Sequence, residues 1–211
     1  MNVKCLEFNF LPVNTYVLWD ETKECAVIDP GCFYKGENEK LAEFISTNGL
    51  EVKLLLNTHL HFDHVFGNMF VEQTYGLKAR ANDADNPWIE NLQQRLSAFG
   101  LHYDGKVNPI LPENVLNEGD VIRFGNTELH VLHIPGHSPG SLVFLNRKEN
   151  VLFSGDVLFQ NGMGRTDFPD GDGPALLKGI RTKLMTLDPY TTVFPGHGPA
   201  TTIGQEKRSF L

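Results

Sequence analysis

Residues 57–68 read NTHLHFDHVFGN, and the six positions from His59 to His64 hold three of the chain's eight histidines and an aspartate. The run VKLLLN before them (residues 52–57) has the composition of a buried strand, so the histidines fall at a strand's C-terminal end, where ligands gather. His59 and His61 are two residues apart. On a helix that spacing points them to different sides, whereas in extended backbone it puts both imidazoles on one side. Two imidazoles on one side of a rigid loop can chelate a metal, and Asp63 and His64 can reach a second one after a turn. Neutral imidazole and carboxylate are good ligands for Zn²⁺. The competing explanation is a polar loop whose histidines cap nearby backbone groups. What separates the two is whether matching ligands occur elsewhere.

Three further strand ends carry them. HIPGHSPGS (133–141) sets His137 in a Pro- and Gly-rich loop after the strand-like ELHVLHI. VLFSGDVLF (151–159) puts Asp156 directly after Gly155, and TVFPGHGPA (192–200) puts His197 after Gly196. The order strand, glycine, ligand occurs each time. Seven candidate ligands suit two metals sharing one carboxylate, with a water or hydroxide as the other bridge.

The set His59-x-His61-x-Asp63-His64, His137, Asp156 and His197, with VIDPG at 27–31 and PGHSPGS at 135–141, resembles the metallo-beta-lactamase superfamily over nearly the whole chain. The resemblance implies an α/β (α+β) protein with a four-layer αβ/βα sandwich and metals at one edge between two sheets. It also implies that His59, His61 and His137 hold one metal, that Asp63, His64 and His197 hold the other, and that Asp156 bridges them. Two divalent ions are expected, Zn²⁺ first, with Fe or Mn as alternatives. In that scheme Asp63 is also the catalytic carboxylate that aims a metal-bridging hydroxide at the substrate.

The ligand set discriminates among relatives. Beta-lactamases of the family replace one ligand, for example with Cys at the place of Asp156, so the intact set points away from antibiotic hydrolysis. GDVLFQNGMGRTDFPDGD (155–172) is similar both to small glyoxalase II-like thioester hydrolases and to persulfide dioxygenases, which use one iron. Arg165 and Asp167 in this stretch are candidate substrate-binding residues; the structural alternative is a salt bridge of Arg165 with Asp167 or Asp170. Long glyoxalase II enzymes hold glutathione with basic residues of a C-terminal helical domain and of a basic-aromatic loop. Here the sequence ends at TIGQEKRSFL, and RTDFPDG stands in place of the loop. The expected activity is hydrolysis of a small-molecule thioester of the S-lactoylglutathione (hydroxyacylglutathione) type. The alternatives are a mononuclear iron persulfide dioxygenase, or a lactone or phosphodiester hydrolase of the same fold.

The rest of the chain sets bounds. Its 211 residues, without a Ser/Gly linker or low-complexity tract, predict one domain over 1–211. A net charge of −8, with no basic stripe, argues against a nucleic-acid partner. No apolar run is long enough for a membrane span, and the N-terminus lacks a secretion signal. Three cysteines, an odd number without metal-like spacing, read as reduced, buried thiols in a cytoplasmic protein. Nine strands are expected, in VKCLEFNF, TYVLW, CAVID, VKLLLN, DVIRF, ELHVLHI, SLVFLN, VLFSG and TTVFPG. Helices are expected in NEKLAEFISTNG (38–49), NPWIENLQQRLSAFG (86–100) and GPALLKGIRTKLMTL (173–187). His102 and Tyr103 read as surface residues and His133 as a structural one. Asp29 either orients a ligand histidine or shapes the turn before Pro30.

Overall fold

Successive residues of the central strands enter different cores, and this alternation builds the molecule. The computed structural model describes residues 1–98 and 100–210; Phe99, near the end of the second expected helix, and Leu211 lie outside the described residues. The chain runs β1 (Asn2–Phe8), β2 (Val13–Trp19), β3 (Glu24–Ile28), α1 (Glu37–Thr47), β4 (Glu51–Leu56), α2 (Phe62–Val65), α3 (Asn68–Tyr75) and β5 (Ala79–Arg80). It continues through α4 (Asn86–Glu90), α5 (Leu92–Ala98), β6 (Val121–Phe124), β7 (Thr127–His133), β8 (Leu142–Asn146), β9 (Val151–Gly155), β10 (Leu158–Phe159) and β11 (Gly162–Met163). It ends with α6 (Gly173–Gly179), β12 (Thr192–Pro195), β13 (Thr201–Thr202) and α7 (Ile203–Phe210).

One sheet has the order β1-β2-β3-β4-β5 and the other β13-β12-β9-β8-β7-β6. The pairs β3/β4, β4/β5 and β9/β12 are parallel, and the remaining pairs of these two sheets are antiparallel. Tyr16, Leu18, Ala26 and Ile28 of the first sheet pack against Leu129, Val131, Phe144 and Phe153 of the second. Their chain neighbours Val17, Cys25 and Val27 face outward onto Leu41 and Ile45 of α1. In the second sheet, Val143, Leu145 and Leu152 turn away from the shared core onto Leu176 of α6 and Ile203 and Phe210 of α7. The layers are helix, sheet, sheet, helix. Strands covered on both faces read as continuous apolar runs, which is why LVFLN of β8 is buried at every position.

All nine expected strands are present. The two-residue strands β5, β10, β11 and β13 are too short to leave a sequence pattern, and α2 and α3 were not anticipated. The expected helix at 86–100 breaks at Asn91. The Asn91 side chain donates to the Pro87 carbonyl at 3.0 Å, replacing the helical N–H bond, while its own N–H goes to Ile89. The expected helix at 173–187 becomes α6 followed by a π-helical turn over Ile180–Leu184, closed by the Met185 N–H on the Ile180 carbonyl. Cys5 differs from expectation: it is exposed, with its thiol 3.3 Å from Asn14 Oδ1. Cys25 and Cys32 are buried, and burial pushes the Cys25 thiol up to about 12. Among the described residues no helix is long and apolar enough to cross a membrane.

Candidate metal centre

The loops after β4, β7, β9 and β12 open at one edge, where the ends of the two sheets meet. The sheets are stitched together there. The Asn14 N–H donates to the Gly196 carbonyl at 2.8 Å, its side chain to the Pro195 and Gly198 carbonyls, and the Tyr16 hydroxyl to Pro195 at 2.6 Å. The Leu142 N–H bonds the Thr58 carbonyl at 2.7 Å, fixing β8 to the histidine loop. His59 and His61 precede α2, His61 in extended backbone, and Asp63 and His64 are carried by that single helical turn.

The imidazoles are oriented from behind. His64 Nδ1 lies 3.0 Å from Asp29 Oδ2, His137 Nδ1 lies 2.8 Å from the Arg165 carbonyl and His197 Nδ1 lies 3.2 Å from the Pro12 carbonyl. A carbonyl or carboxylate only accepts, so each of these Nδ1 atoms carries a proton and leaves Nε2 as the atom that would ligate a metal. His59 Nδ1 is 3.0 Å from Thr58 Oγ1. That hydroxyl spends its own proton on Asp29 Oδ2 at 2.6 Å, so it accepts from His59. His61 instead packs its ring 4.1 Å from that of Trp88 and 5.0 Å from that of Phe168, centroid to centroid.

The Nε2 atoms of His59, His61 and His137 and Oδ1 of Asp156 are buried without a hydrogen-bond partner. A buried orphan of this kind costs about 1–3 kcal/mol, so several together fit a group that is bound there. His59, His61 and His137 form one group whose ligating atoms lie within 4.8 Å of one another, and Asp63, His64 and His197 form another. Asp156 stands between them. Its Oδ1 is 3.5 Å from His64 Nε2, and its Oδ2 is 3.5 Å from His137 Nε2 and 3.6 Å from His197 Nε2. This donor set, five imidazoles with two carboxylates and an open face, suits divalent transition metals.

Electrostatics follow from burial and from the two carboxylates. Burial and the neighbouring imidazoles hold His59 well below the usual range, so it is neutral. At His64 burial opposes protonation, but Asp63, Asp156 and Asp29 outweigh it and push the ring up to about 10 in the protein without metal. Burial alone would raise Asp63; His64 and His197 overcome it and hold the carboxyl well below its usual range.

Asp29 also lies near His59 and His64, but its oxygens are occupied. Oδ1 accepts the Thr58 N–H at 2.8 Å, and Oδ2 takes Thr58 Oγ1 and His64. It is an orienting group behind the ligands, and with φ +48° it also makes the turn; both explanations open from the sequence hold. We expect Asp29→Ala to weaken metal binding on the His64 side by about 10–100-fold. Titration of metal-stripped protein checks this, and an unchanged affinity would contradict it.

Asp85 carries no motif, yet it ties the two histidine loops together. Fully buried, it accepts from the Leu60 N–H at 3.1 Å, the Ser138 hydroxyl at 2.8 Å and the Gly140 N–H at 2.6 Å. Leu60 sits between His59 and His61, and Ser138 follows His137, so one carboxylate sets the distance between them.

Arg165 and Asp167 are exposed and bond each other, with Nε and Nη2 of Arg165 each 2.7 Å from an Asp167 oxygen. The guanidinium lies over Phe168 at 4.6 Å, and Arg165 is among the residues lining the cleft, whereas Asp167 is not. The other candidate partner, Asp170, accepts instead from Trp88 Nε1 at 2.7 Å. What the segment brings to the histidines is the Arg165 backbone carbonyl. Gly164 allows this approach: a Cβ there would sit 1.9 Å from the Asp156 carbonyl oxygen and 3.0 Å from His137 Nδ1. Gly155 has a similar constraint, at φ +48° with a Cβ position 2.3 Å from Thr58 Oγ1. Gly164→Ala should cost about 1–3 kcal/mol and lower metal content. A wild-type melting temperature and metal content would show that the loop adapts freely.

His133 is structural, its Nε2 2.7 Å from the Pro139 carbonyl. His102 is exposed and paired with Asp104, as expected. Tyr103 is half-buried. Its ring stacks on Phe33 and packs on Phe66, and its hydroxyl bonds the Phe66 carbonyl at 2.5 Å.

The pattern that defines the metallo-beta-lactamase superfamily matches residues 8–197. The chain is 40% identical to hydroxyacylglutathione hydrolase GloC of Haemophilus influenzae, over 99% of this chain and 96% of that one. Among solved structures it is similar to BLEG-1, described as a B3 metallo-beta-lactamase, with TM-score 0.85 and 34% identity over 98% of this chain and 97% of that one. It is also similar to TTHA1623 in a di-iron-bound form, with TM-score 0.84 and 35% identity over 98% of each chain. With a family pattern spanning nearly its full length and a His/Asp cluster at the sheet edge, this chain belongs to the metallo-beta-lactamase superfamily and is a metallo-hydrolase.

Proposed function

We propose that the protein hydrolyses small-molecule thioesters with two divalent metals, one held by His59, His61 and His137 and the other by Asp63, His64 and His197. The observation that carries this reading is the place of Asp156, whose two oxygens lie at similar distances from histidines of both groups. A pair of divalent ions supplies hydroxide at neutral pH and polarises a carbonyl. Asp63, anionic and buried beside His197 at 3.4 Å, orients the attacking water and accepts its hydrogen bond. The rings of Trp88, Phe168 and Phe62 around the opening limit bulk water. A thiol leaves as its anion near neutral pH, so no acid is needed to protonate it; among the described residues no Ser–His or Cys–His pair faces the cleft. The similarity to a hydroxyacylglutathione hydrolase supports thioesters over other acyl substrates.

The test is release of free thiol from S-lactoylglutathione by metal-loaded protein, with and without oxygen, and with a beta-lactam alongside. Equal rates in both atmospheres and little beta-lactam turnover support the reading. Oxygen uptake on a glutathione persulfide without thioester hydrolysis would replace it with an iron dioxygenase.

A further inference from the structure

The cleft in front of the candidate metal centre holds about 750 Å³, enough for a substrate of drug-like size. Beyond the metal-facing side chains, its wall is made of rings and aliphatic groups. Phe10, Phe62, Trp88, Leu101, Phe159 and Phe168 line it from several different segments of the chain. The charged groups among the lining residues, histidines aside, are Asp63, Asp156 and Arg165. The two carboxylates belong to the metal cluster. Arg165 is the one arginine or lysine in the lining, and two of its donors are already bonded to Asp167.

Glutathione brings two carboxylates and one ammonium, each several bonds from the sulfur. With the thioester carbonyl at the metal cluster, what the rest of the cleft offers those charges is ring and aliphatic wall and one arginine. Away from the metal ions, an anion on those walls loses water and meets at most one side-chain cation, which is already paired. An apolar arm loses nothing of the kind and gains the burial of its surface.

We infer that, within the thioester-hydrolase reading on which this rests, the preferred substrate carries an uncharged apolar arm, aromatic or medium-chain aliphatic, in place of the glutathione peptide. The cleft's charge pattern makes S-lactoylglutathione a poor substrate with the right reacting group. Phe10 is a specificity residue in this arrangement. It lines the cleft and packs on Phe33 and Phe66, and its side chain is not among the candidate metal ligands.

The test compares S-lactoylglutathione with the S-benzyl thioester of lactic acid, benzyl-S–C(O)–CH(OH)CH₃, on metal-loaded protein. Burial of a phenyl ring predicts a kcat/KM roughly 10–100-fold higher for the benzyl ester. Phe10→Ala should narrow that ratio, with its melting temperature recorded alongside to report folding. In parallel, binding of the two matching thioethers, in which CH₂ replaces the carbonyl, is followed by Trp88 fluorescence. The benzyl thioether should bind at least tenfold more tightly than S-(2-hydroxypropyl)glutathione. Equal or tighter binding of the glutathione thioether, or a higher kcat/KM for S-lactoylglutathione, overturns the inference and leaves the hydrolase reading standing. Failure to cleave either ester overturns the hydrolase reading, and the thioether pair then still decides which arm the cleft takes.

Discussion

Asp156→Ala should strip metal from both histidine groups and lower turnover by three orders of magnitude or more, on the scale of about 10³–10⁶ seen when one member of a catalytic unit is removed. The reason is positional. Asp156 leaves β9 directly after Gly155 and lies within 3.5–3.6 Å of His64, His137 and His197. Removing it leaves the imidazoles facing each other, with His64 and His197 Nε2 atoms 3.3 Å apart and no anion shared between the groups. His197→Ala should behave differently. His197 belongs to one group, so metal bound by His59, His61 and His137 should persist. Metal analysis of the two purified variants separates these outcomes. Full occupancy and activity in Asp156→Ala would show that Asp156 is not the shared ligand.

Asp63→Asn should lower kcat by about 10²–10⁴-fold, the usual contribution of a positioned acid–base group, while the metal at His59, His61 and His137 stays bound. Asn has nearly the same shape but no charge, so the α2 turn should keep its geometry. What disappears is an anion that His64 and His197 hold deprotonated despite its burial. A fall confined to kcat supports a role toward the attacking water. A rise in KM with unchanged kcat would assign Asp63 to substrate binding.

The candidate ligands were legible because metal-binding side chains at strand ends are rare and specific, and four separate segments carried them. The strands were legible for a related reason: both faces of β8 and β9 are buried, so their composition is apolar throughout. The residues behind the ligands were not legible. Asp85 acts through backbone N–H groups distant in sequence, and nothing about the second aspartate of NDADNP announces that. Arg165 drew attention for its side chain, whereas its backbone carbonyl is what touches His137. Tyr103 and the apolar cleft wall come from segments that only tertiary packing brings together. The break at Asn91 depends on one side chain competing with one backbone bond, a balance that helical periodicity does not record.

The most direct test of the two-metal account is a zinc titration of metal-stripped protein under nitrogen, with thioester hydrolysis followed at every step. The account predicts two equivalents bound per chain, hydrolysis that reaches its maximum only as the second site fills, and no change when oxygen is readmitted. Saturation at one tightly bound iron, a second group that takes no metal, and consumption of oxygen without thioester cleavage would contradict it.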